Sequence, residues 1–149
     1  MSSAAPKGLS HMTFIVSDLD AMEEILTGVL SARRVYESGA DTFSRSEERF
    51  FLVGDDDLWI ATMKGDPLSA RSYNHVAFKI EDGDYDTYRD RILALGLDLE
   101  EGRARVAGEG RSLYFYDCDN HLFELHTGTL AERLARYSEG LTQHPNQRA

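Results

Sequence analysis

The sequence predicts an α+β fold of two tandem βαβββ modules forming a cupped mixed sheet. Three observations predict it. HMTFIVSDLD (11–20) and NHVAFKIEDGD (74–84) share a pattern, in which histidine, phenylalanine and two aspartates recur at one spacing. These are His11, Phe14, Asp18 and Asp20, then His75, Phe78, Asp82 and Asp84. Each start is followed by a helix-like stretch and then by three strand-like runs. The modules also end alike, DDDLWIAT against CDNHLFELHT. Recurrence of a whole supersecondary unit marks a duplicated architecture.

The elements follow in order. Residues 1–8 form a loose lead-in, and HMTFIVSDLD, 11–20, reads as a strand. In DLDAMEEILTGVL, Met22, Ile25, Leu26 and Val29 make the apolar stripe of a helix, which Asp18 or Asp20 can cap. Strands are expected at RRVYE, DTFSRSEERFFLV and DLWIATM, the last two split by the acidic turn GDDD. Pro67 and the polar residues after it mark a linker. In the second module, YDTYRDRILALG puts Tyr85, Tyr88, Ile92 and Leu95 on one helix face, with Gly96 as its stop. Strands follow at LDLEE, RSLYFYD and HLFELHT. A last helix spans 129–140, with Thr129 and Glu132 as a capping box and Gly140 as its stop. The expected layout is one domain over 8–140, with modules at roughly 8–66 and 71–128 and a frayed tail at 141–149.

Composition narrows the function classes. The chain has 149 residues, 42% hydrophobic and 28% charged, which suits one globular domain. No apolar run approaches the roughly 20 residues of a membrane span. The opening MSSAAPKG lacks the apolar stretch of a secretory leader. Cys118 is the only cysteine, so no internal disulfide is expected, and the expected location is the cytoplasm. A net charge of −10 argues against nucleic-acid binding. Small anions stay open, because a local arginine cluster can act inside an acidic protein.

The candidate chemistry lies at equivalent strand starts. Pseudo-twofold symmetry brings His11 and His75 together at the sheet centre. In HLFELHT, alternation puts Leu122, Glu124 and His126 on one face. Aligning DLWI with HLFE makes Ile60 the counterpart of Glu124. Two imidazoles and a carboxylate suit a divalent first-row metal. Three protein ligands leave positions open for water or substrate. A lone strand histidine is most often a core or rim residue; the repeat is what predicts a meeting point. His126 competes as a ligand but has no counterpart in the repeat, so it is assigned a supporting role. His121 belongs to a turn and His144 to the tail.

In SEERFFLV, alternation puts Glu48, Phe50 and Leu52 on one face. A carboxylate on that apolar face would be partly desolvated, which favours a general base. A slip of one residue would turn Glu47 inward instead. Trp59 and Tyr73 are expected to line the pocket. GEG is not followed by lysine in the P-loop manner, so a nucleotide loop is set aside.

The βαβββ pair with His11, His75 and Glu124 resembles the vicinal oxygen chelate superfamily, and within it the FosX-type fosfomycin hydrolases. The resembling segments are GLSHMTFIV, TFSRSEERFFLVG, RSYNHVAFKI and GEGRSLYFYDCDNHLFELHTGTLAERLAR, which cover most of 8–140. The resemblance implies an Mn²⁺-dependent epoxide hydrolase that adds water to fosfomycin and confers resistance. It implies Glu48 as general base and Thr13, Ser112, Tyr114 and Arg133 as contacts to the phosphonate. Arginines and hydroxyls suit that anion, and Arg105 and Arg111 are further candidates. It also implies a homodimer with paired modules, in which His11 comes from one subunit and His75 and Glu124 from the other. The alternatives are a thiol transferase on the same substrate, a metal-free drug-binding protein, a dioxygenase or isomerase using Fe²⁺ or another metal, and an enzyme of another small epoxide.

Overall fold

The computed structural model describes residues 3–41, 43–102 and 109–143, with side chains through 140. The chain divides between Ala70 and Arg71 into two compact units. In the first unit, β1 is His11–Val16, α1 Leu19–Gly28, β2 Arg33–Glu37, β3 Glu48–Val53 and β4 Leu58–Lys64. In the second, β5 is His75–Lys79, α2 Tyr85–Ala94, β6 Asp98–Glu101, β7 Ser112–Tyr116, β8 Leu122–His126 and α3 Leu130–Gln143. Each unit holds a four-stranded mixed sheet, in orders β1-β4-β3-β2 and β5-β8-β7-β6. The first and last strands of each unit pair parallel and the other neighbours antiparallel.

One face of each sheet carries the apolar core. Asp18 caps α1, its Oδ1 accepting the N–H groups of Asp20 and Ala21 at 2.9 and 3.2 Å. The helix buries Leu19, Met22, Ile25 and Leu26, and Val16, Phe51 and Ile60 are buried in the same unit. In the second unit Ile92, Leu113, Phe115, Phe123 and Leu125 are fully buried. Burying one such side chain is worth about 1.5–3 kcal/mol. Arg49 fixes which way β3 faces. Its guanidinium bonds Glu23 at 2.7 Å and Asp20 at 2.8 Å, both on α1. Alternation then sends Glu48 to the opposite face.

Two expectations are corrected. The strand expected over 41–53 is confined to Glu48–Val53. The stretch SRSE before it has no apolar alternation to pair on a sheet. Gly140 does not stop the last helix, which runs to Gln143. Glycine inside a helix costs about 1 kcal/mol but does not end it without a left-handed turn. Residues 144–149 of the expected tail lie outside the described residues. Gly96 does adopt the left-handed conformation after α2, with φ of 66°. Thr129 Oγ1 accepts the N–H of Glu132 at 3.2 Å, as a capping residue does.

Candidate functional site

Strand register decides which side chains share the open face of each sheet. In the first unit His11 pairs with Trp59, Thr13 with Ala61 and Ile15 with Met63. Across β4 and β3, Trp59 pairs with Leu52, Ala61 with Phe50 and Met63 with Glu48. In the second unit His75 pairs with Leu122, Ala77 with Glu124 and Lys79 with His126. Across β8 and β7, Glu124 pairs with Tyr114 and His126 with Ser112. The counterpart of Glu124 is therefore Ala61, and not Ile60. Between matching positions the β3–β4 hairpin is one residue longer than the β7–β8 hairpin, Met63 lying 15 residues after Glu48 and His126 14 after Ser112, so an ungapped alignment slips by one. Ile60, fully buried, belongs to the core face. By the same register Glu48 matches Ser112, and Met63 matches His126.

The second unit gathers the polar groups. His75 Nδ1 lies 2.6 Å from the Tyr73 carbonyl oxygen, which only accepts, so Nδ1 carries the proton. Its Nε2 then faces Glu124 Oε2 at 3.2 Å. In the neutral ring this sets a lone pair against a carboxylate oxygen, an arrangement that a divalent cation between them resolves. The donor set fits a first-row metal, because imidazole and carboxylate are its ordinary ligands. Glu124 is 6% exposed. Burial by itself would raise its pKa. Hydrogen bonds from Tyr114 and Ser112, with His126 and His75 nearby, outweigh that and hold the carboxyl below the usual range. Burial, with hydrogen bonds to Tyr73 and Glu124, pushes the Tyr114 phenol up, so it stays a neutral donor.

Ser112 Oγ donates to Glu124 Oε1 at 2.8 Å and also lies 2.8 Å from His126 Nδ1. Arg133 Nη2 stands 3.3 Å from His126 Nε2. The hydroxyls of Tyr73 and Tyr114 are 3.2 Å apart. Tyr73, Ser112, Tyr114, His126, Arg133 and Tyr137 line a cavity of about 400 Å³. Tyr137 was not legible as a site residue, although it sits one helical turn beyond Arg133. Arg105 lies outside the described residues. Arg111 is occupied elsewhere, bonding Asp82 at 3.1 Å and lying 4.0 Å over the Tyr85 ring.

The open face of the first unit is more apolar. His11 Nδ1 meets Ser10 Oγ at 3.0 Å, which leaves Nε2 for a metal. Its ring stacks on Trp59 at 4.2 Å, and Phe50 meets Trp59 at 5.1 Å and Tyr36 at 4.9 Å. Thr13 is exposed on the same face. Glu48 is 8% exposed while Glu47 is exposed to solvent, which decides the register of that strand in favour of Glu48. Trp59 Nε1 is buried with no hydrogen-bond partner among the described residues.

Asp117, Asp119 and His121 also offer ligand atoms within 4.8 Å of one another. Asp117 is already committed. Its Oδ1 accepts the N–H groups of Asp119 and His121 at 3.0 and 2.8 Å, and its Oδ2 meets His121 Nδ1 at 2.7 Å. That geometry closes the β7–β8 turn, and it is a weaker metal candidate than His75 and Glu124.

Comparison with known proteins agrees with this fold. Residues 8–125 match the family described as Glyoxalase/Bleomycin resistance protein/Dioxygenase superfamily. Fosfomycin resistance protein FosX of Mesorhizobium japonicum is 62% identical over 135 residues, 91% of this chain and 96% of the relative. FosX of Listeria monocytogenes is 53% identical over 132 residues, 89% of this chain and 98% of the relative. A mutant of the Listeria monocytogenes protein, solved with Mn(II) and 1S,2S-dihydroxypropylphosphonic acid, superposes with a TM-score of 0.79. That structure is 50% identical and covers 89% of this chain and 99% of its own. The chain belongs to the glyoxalase/bleomycin resistance/dioxygenase superfamily and, within it, to the FosX fosfomycin resistance proteins.

Proposed function

We propose that the chain is an Mn²⁺-dependent epoxide hydrolase that opens fosfomycin with water and so confers resistance. The observation that carries this reading is the facing pair of His75 Nε2 and Glu124 Oε2, 3.2 Å apart in a donor set suited to a metal. The ligand held by the FosX relative, a dihydroxypropylphosphonic acid, is a diol, as water addition to an epoxide gives.

In this reading His11, His75 and Glu124 hold the metal. When bound, the metal supplies Lewis-acid polarisation of the epoxide oxygen. Glu48 takes a proton from water as the water oxygen bonds an epoxide carbon. The carbon–oxygen bond of the ring breaks, and the ring oxygen ends as a hydroxyl once it gains a proton. The apolar neighbours Phe50 and Met63 leave Glu48 little competing water. Thr13, Ser112, Tyr114, Arg133 and Arg105 bind the phosphonate, through charge-assisted hydrogen bonds where arginine donates. Tyr73 and Trp59 line the pocket. A buried donor without an acceptor costs about 1–3 kcal/mol, and a substrate oxygen at Trp59 Nε1 would relieve that cost. The active form is a homodimer, with His11 supplied by one subunit and His75 and Glu124 by the other. No helix among the described residues is long and apolar enough to cross a membrane, and the proposed location is the cytoplasm.

Phosphorus NMR of fosfomycin, with Mn²⁺ and no thiol, tests the reading. Diol formation that needs Mn²⁺ and fails in Glu48→Gln supports it. Turnover only after a thiol is added would make the chain a transferase. No turnover in either condition would remove fosfomycin as substrate.

A further inference from the structure

We propose that His126 is a positioning residue that carries the hydrogen-bond direction of Arg133 through Ser112 to Glu124. The relay holds one carboxylate oxygen so that the other faces His75. This inference rests on the reading of Glu124 as a metal ligand.

The direction of every link follows from donor chemistry. Arginine only donates, so His126 Nε2, 3.3 Å from Arg133 Nη2, accepts. The His126 ring is then neutral with its proton on Nδ1. Nδ1 lies 2.8 Å from Ser112 Oγ and must donate to it. The serine proton is left for Glu124 Oε1, at 2.8 Å. His126 Nδ1 itself stands 3.8 Å from Glu124 Oε1, too far for a direct bond, so the hydroxyl is the bridge. Oε1 is thereby fixed, and Oε2 stays turned toward His75 Nε2.

The backbone is shaped around this ring. A Cβ on Gly110 would lie 2.3 Å from the Gly128 nitrogen and 3.0 Å from His126 Cε1. A Cβ on Gly128 would lie 2.9 Å from His126 Nε2. Only a pair of glycines lets the two segments cross so close to the imidazole. Arg133 has five N–H donors, so one bond to His126 leaves others for an anion in the cavity. The arginine proposed for the phosphonate is thus also the start of the chain that orients a metal ligand. Outer-shell groups of this kind typically set metal affinity by 10–100-fold.

The test is Mn²⁺ affinity of the full chain, read by electron paramagnetic resonance of free Mn²⁺. His126→Phe is expected to weaken Mn²⁺ by about tenfold or more. His126→Asn, whose amide N–H stands near the place of Nδ1–H, is expected to recover most of that loss. Arg133→Met is expected to weaken Mn²⁺ without touching a ligand, and to add nothing in the His126→Phe background. Nitrogen-15 NMR of the metal-free protein reads the tautomer: His126 should carry its proton on Nδ1, and lose that preference in Arg133→Met. A wild-type Nε2–H tautomer would overturn the relay, as would unchanged Mn²⁺ affinity in folded His126→Phe. Should His126→Phe not fold, the wild-type tautomer decides. Glu124→Ala is the separate control: if it binds Mn²⁺ like the wild type, the ligand reading fails and not the relay.

Discussion

The two units offer the same open-face positions and fill them with opposite chemistry. Ala61 stands where Glu124 does, Met63 where His126 does, and Phe50 where Tyr114 does. Only the histidines His11 and His75 are common. In the first unit the histidine stacks on Trp59, the first of a run of rings that continues through Phe50 to Tyr36. In the second they are hydrogen-bonding groups that converge on one carboxylate. Among the described residues, the single buried carboxylate on the first open face, Glu48, takes the place of Ser112. In the proposed reading, duplication separates two tasks that conflict at one location. A metal ligand needs its charge supported by donors, and a base needs its charge left unsupported.

The sharpest way to break this contrast is to exchange roles. Glu124→Ala should abolish Mn²⁺ binding and lower fosfomycin turnover by roughly a thousandfold or more, since transition-state charge loses its electrostatic partner. Adding Ala61→Glu to that variant should not restore either, because Phe50 and Met63 offer the new carboxylate no donors. Glu48→Gln should lower kcat by about 10²–10⁴-fold, the range of a general base, with Mn²⁺ affinity unchanged. Ser112→Ala, at the matching position, should instead weaken Mn²⁺ and raise KM. If the two variants gave the same pattern, the division of labour would be wrong.

Glycines give a smaller contrast. Gly65 and Gly128 follow the last strands at matching positions. A Cβ on Gly65 would meet only the Cγ2 of half-exposed Ile15, at 2.6 Å, whereas one on Gly128 would meet Gly110 backbone at 2.9 Å. Gly128→Ala should therefore cost about 1–3 kcal/mol in denaturant unfolding, and Gly65→Ala within about 1 kcal/mol. The smallest effect is in pH. The folded-state pKa of Glu124 is depressed, so its contribution to metal-free stability is present above the ordinary carboxylate pKa of about 4 and lost below it. The stability gap between wild type and Glu124→Gln should be present at neutral pH and close on acidification. A gap that widened as pH fell would contradict the depressed value.

Much of this was legible in the sequence because it depends on period and repetition. Alternation of two placed Glu124 with His126, and Glu48 with Phe50. The repeated starts located His11 and His75. What failed depended on a single residue of hairpin length, as in the pairing of Glu124 with Ile60. A slip of one residue turns a strand over, so hairpin length has to be known before counterparts can be matched. Arg111 could not be assigned either, because its partners Asp82 and Tyr85 are distant in sequence. The contact between Arg133 and His126 depends on how α3 returns over the sheet, which no local pattern encodes.

The turn clamp of Asp117 has a consequence for the order of folding. Ser112, Tyr114, Glu124 and His126 all lie on one hairpin, whose loop Asp117 ties to the N–H groups of Asp119 and His121. Short loops close at low entropic cost, whereas the parallel pairing of β5 with β8 must wait for a long crossover. Most of the polar half of the site is therefore expected to be assembled in the folding transition state, with His75 arriving late. Asp117→Ala should act mainly by slowing refolding, and Ala77→Gly, on β5, by speeding unfolding.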